Sequence, residues 1–251
     1  MLFTYFIALI GAFLAGCVNT LAGNGSAITL TILMEVIGLP PDVANGTNRL
    51  GVLTQGMAGT WAFQRAGKLK DAWNWPVIIW TSVGAIIGMV LSIIISPEGY
   101  RQVFRYLLFF MLIVILVKPK RWLVASKGER PNISNWVLGP LFFLLGIYGG
   151  FIQMGMGIFF LATTVLVARY DIIAANVLKG LVVTIYTIFA VAFFAWKGLI
   201  AWEIGAIMAT GQMFGGYLTA TYASRYPSAG IWAYRLLIVV VIGAIVRAFV
   251  L

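Results

Sequence analysis

The chain has 251 residues, of which 62% are hydrophobic and only 10% are charged, and its mean hydropathy is +1.00. Soluble domains carry roughly 45–50% apolar and about 25% charged residues. So few polar side chains cannot cover a surface in water, which excludes disorder, fibrous repeats and an ordinary water-soluble enzyme. The composition predicts an all-α integral membrane protein with the lipid bilayer around most of its exterior.

The net charge is +10, yet the basic residues lie mainly between apolar runs rather than along one soluble face. This distribution argues against nucleic acid as a partner. The chain has no histidine and one cysteine, Cys17, so we expect no disulfide, no metal site and no cofactor. The first basic residue is Arg49. A cleavable signal peptide is therefore not expected, and the first apolar run should remain as a span.

Ten apolar runs follow one another along the chain, near residues 2–22, 26–38, 47–63, 74–95, 101–118, 135–152, 156–169, 176–196, 200–221 and 232–250. Two of them, 26–38 and 156–169, are short for a span of about 20 residues. Each follows a turn broken by glycine, Gly23-Asn24-Gly25 and Gly155-Met156-Gly157. This pattern is typical of half-helices or re-entrant hairpins that face protein or water. The count is either ten segments or six full crossings and two hairpins.

Basic residues concentrate in two places. One is the stretch from Lys118 to Arg130, and the other contains Arg65, Lys68 and Lys70. The positive-inside rule puts both in the cytoplasm, and the two crossings that separate them are consistent with that. We therefore expect a multi-pass protein of the bacterial plasma (inner) membrane whose linker, 119–134, is cytoplasmic.

The two halves of the chain resemble each other. Gly16 precedes Asn19 by three positions, as Gly150 precedes Gln153, and further glycine, asparagine, proline and arginine landmarks recur in the same order. Each half has an odd number of crossings, so the halves would insert with opposite orientation. Inverted repeats with glycine-broken helices are typical of transporters with a midplane site, although chance self-alignment of Gly- and Ala-rich runs is the alternative. The predicted parts are an N-terminal repeat, a basic linker and a C-terminal repeat, at residues 1–118, 119–134 and 135–251.

Gly16, the turn Gly23-Asn24-Gly25 and the stretch Ala44-Asn45-Gly46-Thr47-Asn48 resemble the sulfite exporter TauE/SafE family, also called the toluene sulfonate uptake permease family. The resemblance covers nearly the whole chain. It implies transport of small sulfur-containing anions such as sulfite, sulfonates or sulfoacetate. Departures from the family pattern leave the particular anion open: Asn24 and Met156 interrupt the glycine turns, and the second half reads Asn176-Val177-Leu178-Lys179-Gly180.

Polar residues within otherwise apolar segments indicate a candidate central cationic site. Lys179 has no acidic residue nearby on its predicted helix face, since Asp171 is eight positions away. A bound anion could supply the missing negative charge, and N-termini of helices 47–63 and 176–196 near the midplane would add positive dipole ends. Arg49 could instead snorkel to the interface, and Asn19 and Gln153 could be helix–helix hydrogen bonds or caps. The predicted substrate-binding residues are Asn19, Asn45, Thr47, Asn48, Arg49, Gln153, Asn176 and Lys179.

No acidic residue lies well inside a long apolar run, so the expected mechanism is uniport or exchange by alternating access, with export favoured by the membrane potential. The alternatives are a passive anion channel and a carrier for a non-sulfur carboxylate. A catalytic constellation is missing, so we do not expect an enzyme. The expected partners are a small anionic substrate and the bilayer, and the sequence leaves a monomer or a homodimer open.

Overall fold

The computed structural model describes residues 2–116 and 135–222, with eight further residues between 235 and 246. The predicted linker 119–134 and most of the last predicted run lie outside the described residues. Within the described part every regular element is helical, which confirms the all-α prediction. The helices are α1 Leu2–Ala22, α2 Gly25–Thr31, α3 Pro41–Arg65, α4 Leu69–Ala72, α5 Trp75–Ile94, α6 Pro97–Leu116, α7 Asn135–Phe151, α8 Met156–Ala162, α9 Ile172–Trp196 and α10 Trp202–Tyr222.

Three helices of the described chain are long and apolar enough to cross a membrane: Phe3–Thr20, Trp75–Ile94 and Ile172–Trp196. Helix α3 has 25 residues, which at about 1.5 Å per residue is also longer than the hydrocarbon core of about 30 Å. It carries polar side chains because most of its first half is buried among other helices rather than facing lipid. The chain is therefore a membrane protein.

The two short apolar runs form half-helices. Helix α2 has 7 residues and continues as a π-helical segment, Ile32–Val36, of 5 more. Helix α8 continues in the same way as Thr163–Val167. A helix of that length reaches about 18 Å, little more than half of the hydrocarbon core. Each half-helix is therefore too short to cross from face to face, and α2 and most of α8 are buried among other helices.

The breaks before the two half-helices meet inside the bundle. Gly23 has φ +77° and Gly155 has φ +74°, left-handed conformations that glycine adopts without cost. Gly23 packs directly on Gly157: a Cβ at Gly157 would lie 2.6 Å from Cα of Gly23. The close approach of these two backbones requires glycine on both sides.

Helix directions follow from which residues touch. Helices α1 and α10 run parallel, because Gly211 packs on Leu9 and Gly215 on Phe13. Helices α5 and α7 are also parallel, with a similar series of glycine contacts between them. Helices α3 and α9 cross antiparallel near their middles, where Gly56 faces Thr184. The corresponding helices α3 and α9 thus run in opposite directions, which is consistent with inverted repeats.

Two helices begin earlier than the sequence predicted. Helix α3 starts at Pro41 rather than near 47, and α9 starts at Ile172 rather than at 176. Proline suits the first turn of a helix because it has no N–H to leave unpaired. Asp171 caps α9 by accepting hydrogen bonds from the backbone N–H of Ile173 and Ala174. The predicted polar residues therefore lie one or more turns inside these helices, and the free N–H groups at the two helix starts do not lie beside them.

Substitution of Gly157 by alanine is expected to lower the free energy of unfolding by about 1–3 kcal/mol, the usual cost of overpacking. The added methyl would press on the backbone of Gly23, which cannot rotate away as a side chain can. Gly59→Ala is the matched control, because a Cβ there meets no atom within 4 Å. Denaturant unfolding of both variants in detergent measures the difference. Equal stability of the two would contradict the close packing of the breaks.

Candidate functional site

A small cavity lies where α1, α3 and α9 meet the start of α8. Its water-accessible volume is about 40 Å³, and one water needs about 10–15 Å³ on the same measure. The space therefore suits a few waters or one compact anion. Four of the eight predicted site residues line it, and the polar lining is Asn19, Thr20, Gln55, Gln153, Asn176 and Lys179.

Lys179 supplies the only charge among the described residues that line this cavity. Its side chain is 6% exposed. The Nζ atom donates to Oδ1 of Asn176 at 2.9 Å and to the backbone oxygens of Asn19 at 3.2 Å and Thr20 at 3.3 Å. Those two carbonyls belong to the last turn of α1, where a helix has fewer backbone partners for its oxygens; O of Asn19 also accepts from the N–H of Gly23 at 3.0 Å. All three partners are neutral, so they orient the ammonium without cancelling its charge.

Arg49 is fully buried and lies outside the cavity. Its Nη1 donates to O of Gly149 at 2.9 Å and to Oε1 of Gln153 at 2.6 Å. Its Nη2 donates to O of Gly150 at 2.7 Å and to Oδ1 of Asn45 at 3.1 Å. The guanidinium therefore caps the carbonyl end of α7, much as Lys179 caps that of α1. The alternative that Arg49 snorkels to the interface is wrong, because no part of the side chain is exposed.

The other predicted residues of α3 are also absent from the cavity lining, and all three are fully buried. The side chains of Asn45, Thr47 and Asn48 bond to neighbouring segments instead. Their partners are O of Phe151 for Asn45, N of Ala201 for Thr47, and the hydroxyls of Ser26 and Thr29 for Asn48. These bonds tie α2, α7 and the start of α10 to α3.

The spacing between the two halves of the sequence relates Arg49 to a glycine at the cavity. The same spacing separates Asn45 from Asn176 and Arg49 from Gly180. In the first half this position is Arg49, whose side chain is fully buried. In the second half it is Gly180, which lines the cavity. A Cβ at Gly180 would meet only Oγ1 of Thr60, at 3.9 Å. The open space therefore coincides with the missing side chain.

The predicted site left out three polar residues of this region, Thr20, Gln55 and Tyr186. Gln55 accepts a hydrogen bond from Nδ2 of Asn19 at 3.0 Å, and Tyr186 donates to Oε1 of Gln153 at 2.7 Å. The repeat spacing that relates Asn45 to Asn176 also relates Gln55 to Tyr186. That spacing was the signal in the sequence that could have identified Gln55 and Tyr186. Both of them contact a predicted site residue at a helix break.

The protein-family model for the sulfite exporter TauE/SafE matches residues 8–248 of the chain. The chain belongs to the sulfite exporter TauE/SafE family. This membership agrees with the resemblance of the glycine turns and of the stretch that opens with Ala44. No solved structure matches the chain.

Curated relatives of this family member are membrane transporters by name. The "Probable membrane transporter protein ORF9" of Sinorhizobium sp is 26% identical over 215 residues, which are 85% of this chain and 81% of the relative. A "Probable membrane transporter protein" of Haemophilus influenzae is 26% identical over 211 residues, 83% and 80% of the two chains. The "Probable membrane transporter protein YfcA" of Escherichia coli K12 is 26% identical over 209 residues, 81% and 75%. Family and relatives together indicate a membrane transporter of sulfite-type anions.

Proposed function

We propose that the protein exports small sulfur-containing anions, such as sulfite, sulfonates or sulfoacetate, by alternating access around a central cationic site. The observation that carries this proposal is Lys179, a buried cation that lines an internal cavity and has only neutral partners. Unpaired charge in the low-dielectric interior of a membrane protein is costly. A bound anion would complete the site by neutralising it.

The form of the cavity supports a compact oxyanion. Its volume of about 40 Å³ favours sulfite over longer sulfonates. Gly157, in the first turn of α8, also lines the cavity.

The cavity lies toward the end of the bundle that we propose to be cytoplasmic. Its α3 lining lies in the second half of that helix, toward Arg65, and includes Gln55, Gly59 and Phe63. We place this side in the cytoplasm of a bacterial inner membrane, together with the linker 119–134. An anion that leaves a negative interior gains about 2.3 kcal/mol per charge per 100 mV, so export needs no coupling ion.

Counterflow in proteoliposomes tests the proposal. Vesicles loaded with unlabelled sulfite should accumulate labelled sulfite against its gradient, with saturation. A panel of sulfoacetate, taurine, sulfate, phosphate and acetate, added as competitors, identifies the preferred class. Flux without saturation or counterflow would indicate an anion channel, and competition by acetate alone would indicate a carboxylate carrier. Either outcome would overturn the proposal.

Filling the cavity provides an independent prediction. Gly180→Leu is expected to reduce sulfite affinity at least about tenfold, equivalent to about 1.4 kcal/mol, because the isobutyl group occupies the space beside Lys179. The fold should tolerate it, since the nearest atom to the new Cβ is 3.9 Å away. Gly180→Ala is the graded control and should lose less. Ligand-dependent thermal stabilisation measures affinity, and an unaltered sulfite affinity in the leucine variant would place the substrate elsewhere.

A further inference from the structure

Gln153 stands at the boundary between the cavity and the sealed region around Arg49. It lines the cavity, is 4% exposed, and lies in the break between α7 and α8. Its backbone φ is +64°, in the left-handed region that non-glycine residues rarely enter. Such conformations persist where the surroundings hold them and concentrate at functional sites.

The two ends of the Gln153 amide have different surroundings. Oε1 accepts hydrogen bonds from Nη1 of Arg49 at 2.6 Å and from the hydroxyl of Tyr186 at 2.7 Å. An arginine guanidinium can only donate, so the atom that faces it must be the oxygen. In the described structure Nε2 of Gln153 donates to no protein group. The orientation of the amide is therefore determined by chemistry, and its NH₂ group is the end left for the cavity.

We infer that Arg49 and Tyr186 are positioning residues that hold the NH₂ group of Gln153 toward the cavity, where it donates to an oxygen of the bound anion. This inference rests on the proposed function. An amide turned the other way would present an acceptor oxygen and repel an anion. Arg49 and Tyr186 thus set the preference for acceptor-rich anions without touching the substrate. Lys179 supplies charge on one side of the cavity, and Gln153 supplies a directed donor on another.

The decisive substitution is Gln153→Glu. A carboxylate retains the bond to Arg49 as an ion pair, so the variant should remain folded, with a melting temperature at or above that of the wild type. Its second oxygen would replace the NH₂ donor with an acceptor. Sulfite affinity should therefore fall at least about tenfold, by loss of a donor and gain of repulsion. Gln102→Glu, the same change at an exposed site on α6, is the matched control and should bind sulfite normally.

Tyr186→Phe tests the positioning role itself. Loss of one bond to Oε1 frees the amide partly, so sulfite affinity should fall about 2- to 10-fold. Tyr148→Phe is the control, since that hydroxyl donates to O of Met154 at the same break and makes no bond to Gln153. Equilibrium sulfite binding and melting temperature are measured for each variant.

The possible results separate the inference from the function on which it rests. If the wild type binds no anion from the panel, the proposed function fails. If the wild type binds sulfite and Gln153→Glu binds it equally well, the inference alone is overturned. Equal loss of affinity in Tyr186→Phe and Tyr148→Phe would also overturn it, because a general disturbance of the break would then explain both.

Discussion

Replacing Lys179 with methionine is expected to weaken sulfite binding by about 10- to 100-fold. A hydrogen bond to a charged group contributes about 1.5–3 kcal/mol, and each 1.4 kcal/mol is a factor of ten in affinity. Stability should change less, because methionine keeps the packing volume and removes the cost of a buried charge. Water in the cavity can take over the carbonyls of Asn19 and Thr20 that Lys179 now caps. Thermal stabilisation by sulfite, compared between variant and wild type, measures the effect.

Two variants control this experiment. Lys179→Arg keeps the charge and should retain part of the affinity. Lys197→Met makes the same substitution at the exposed end of α9, far from the cavity, and should bind sulfite as the wild type does. Full sulfite affinity in Lys179→Met would contradict the proposed function, because Lys179 would then not bind the anion.

Replacing Arg49 with methionine should act mainly on stability, whereas the Lys179 substitution acts mainly on sulfite binding. The free energy of unfolding is expected to fall by about 3–5 kcal/mol, as when one partner of a buried charged network is removed. Oxygen atoms of Asn45, Gly149 and Gly150 would lose their arginine donor inside the bundle, and Oε1 of Gln153 would keep only the hydroxyl of Tyr186. Arg49 is fully buried and does not line the cavity of Lys179, so water in that cavity does not replace it directly. Denaturant unfolding in detergent measures the loss.

Arg65→Met, at the other end of α3, is the control. Arg65 is exposed and stacks on Trp61 with its Cζ 4.0 Å from the ring centroid. Exposed contacts of this kind are worth about 0.5–1 kcal/mol, so the loss should be small. A stable Arg49→Met protein that folds normally and loses more sulfite affinity than Lys179→Met would restore Arg49 to the substrate site predicted from sequence, because the loss of a positioning residue should cost less than the loss of the site's charge.

The helical membrane architecture could be predicted from the sequence because its causes are local. Hydropathy sets which segments leave water, and the length of an apolar run sets how far its helix reaches. The glycine turns at Gly23 and Gly155 predicted the two half-helices for the same reason, since a short run after a break cannot cross. Helix starts were less accurate. Pro41 and Asp171 begin their helices before the apolar runs do, and hydropathy does not register a cap.

The candidate site was predicted only in part, because its membership depends on which side chains share a space. Arg49 and Lys179 look alike in sequence: each is a cation near the start of a helix, without an acidic neighbour. In the folded chain both cap the carbonyl end of a broken helix, yet Lys179 lines the cavity and Arg49 does not. The difference comes from Gly180, which occupies in one half the position that Arg49 fills in the other. No local pattern contains that relation, since it arises when α3 and α9 cross and bring the two helix breaks together.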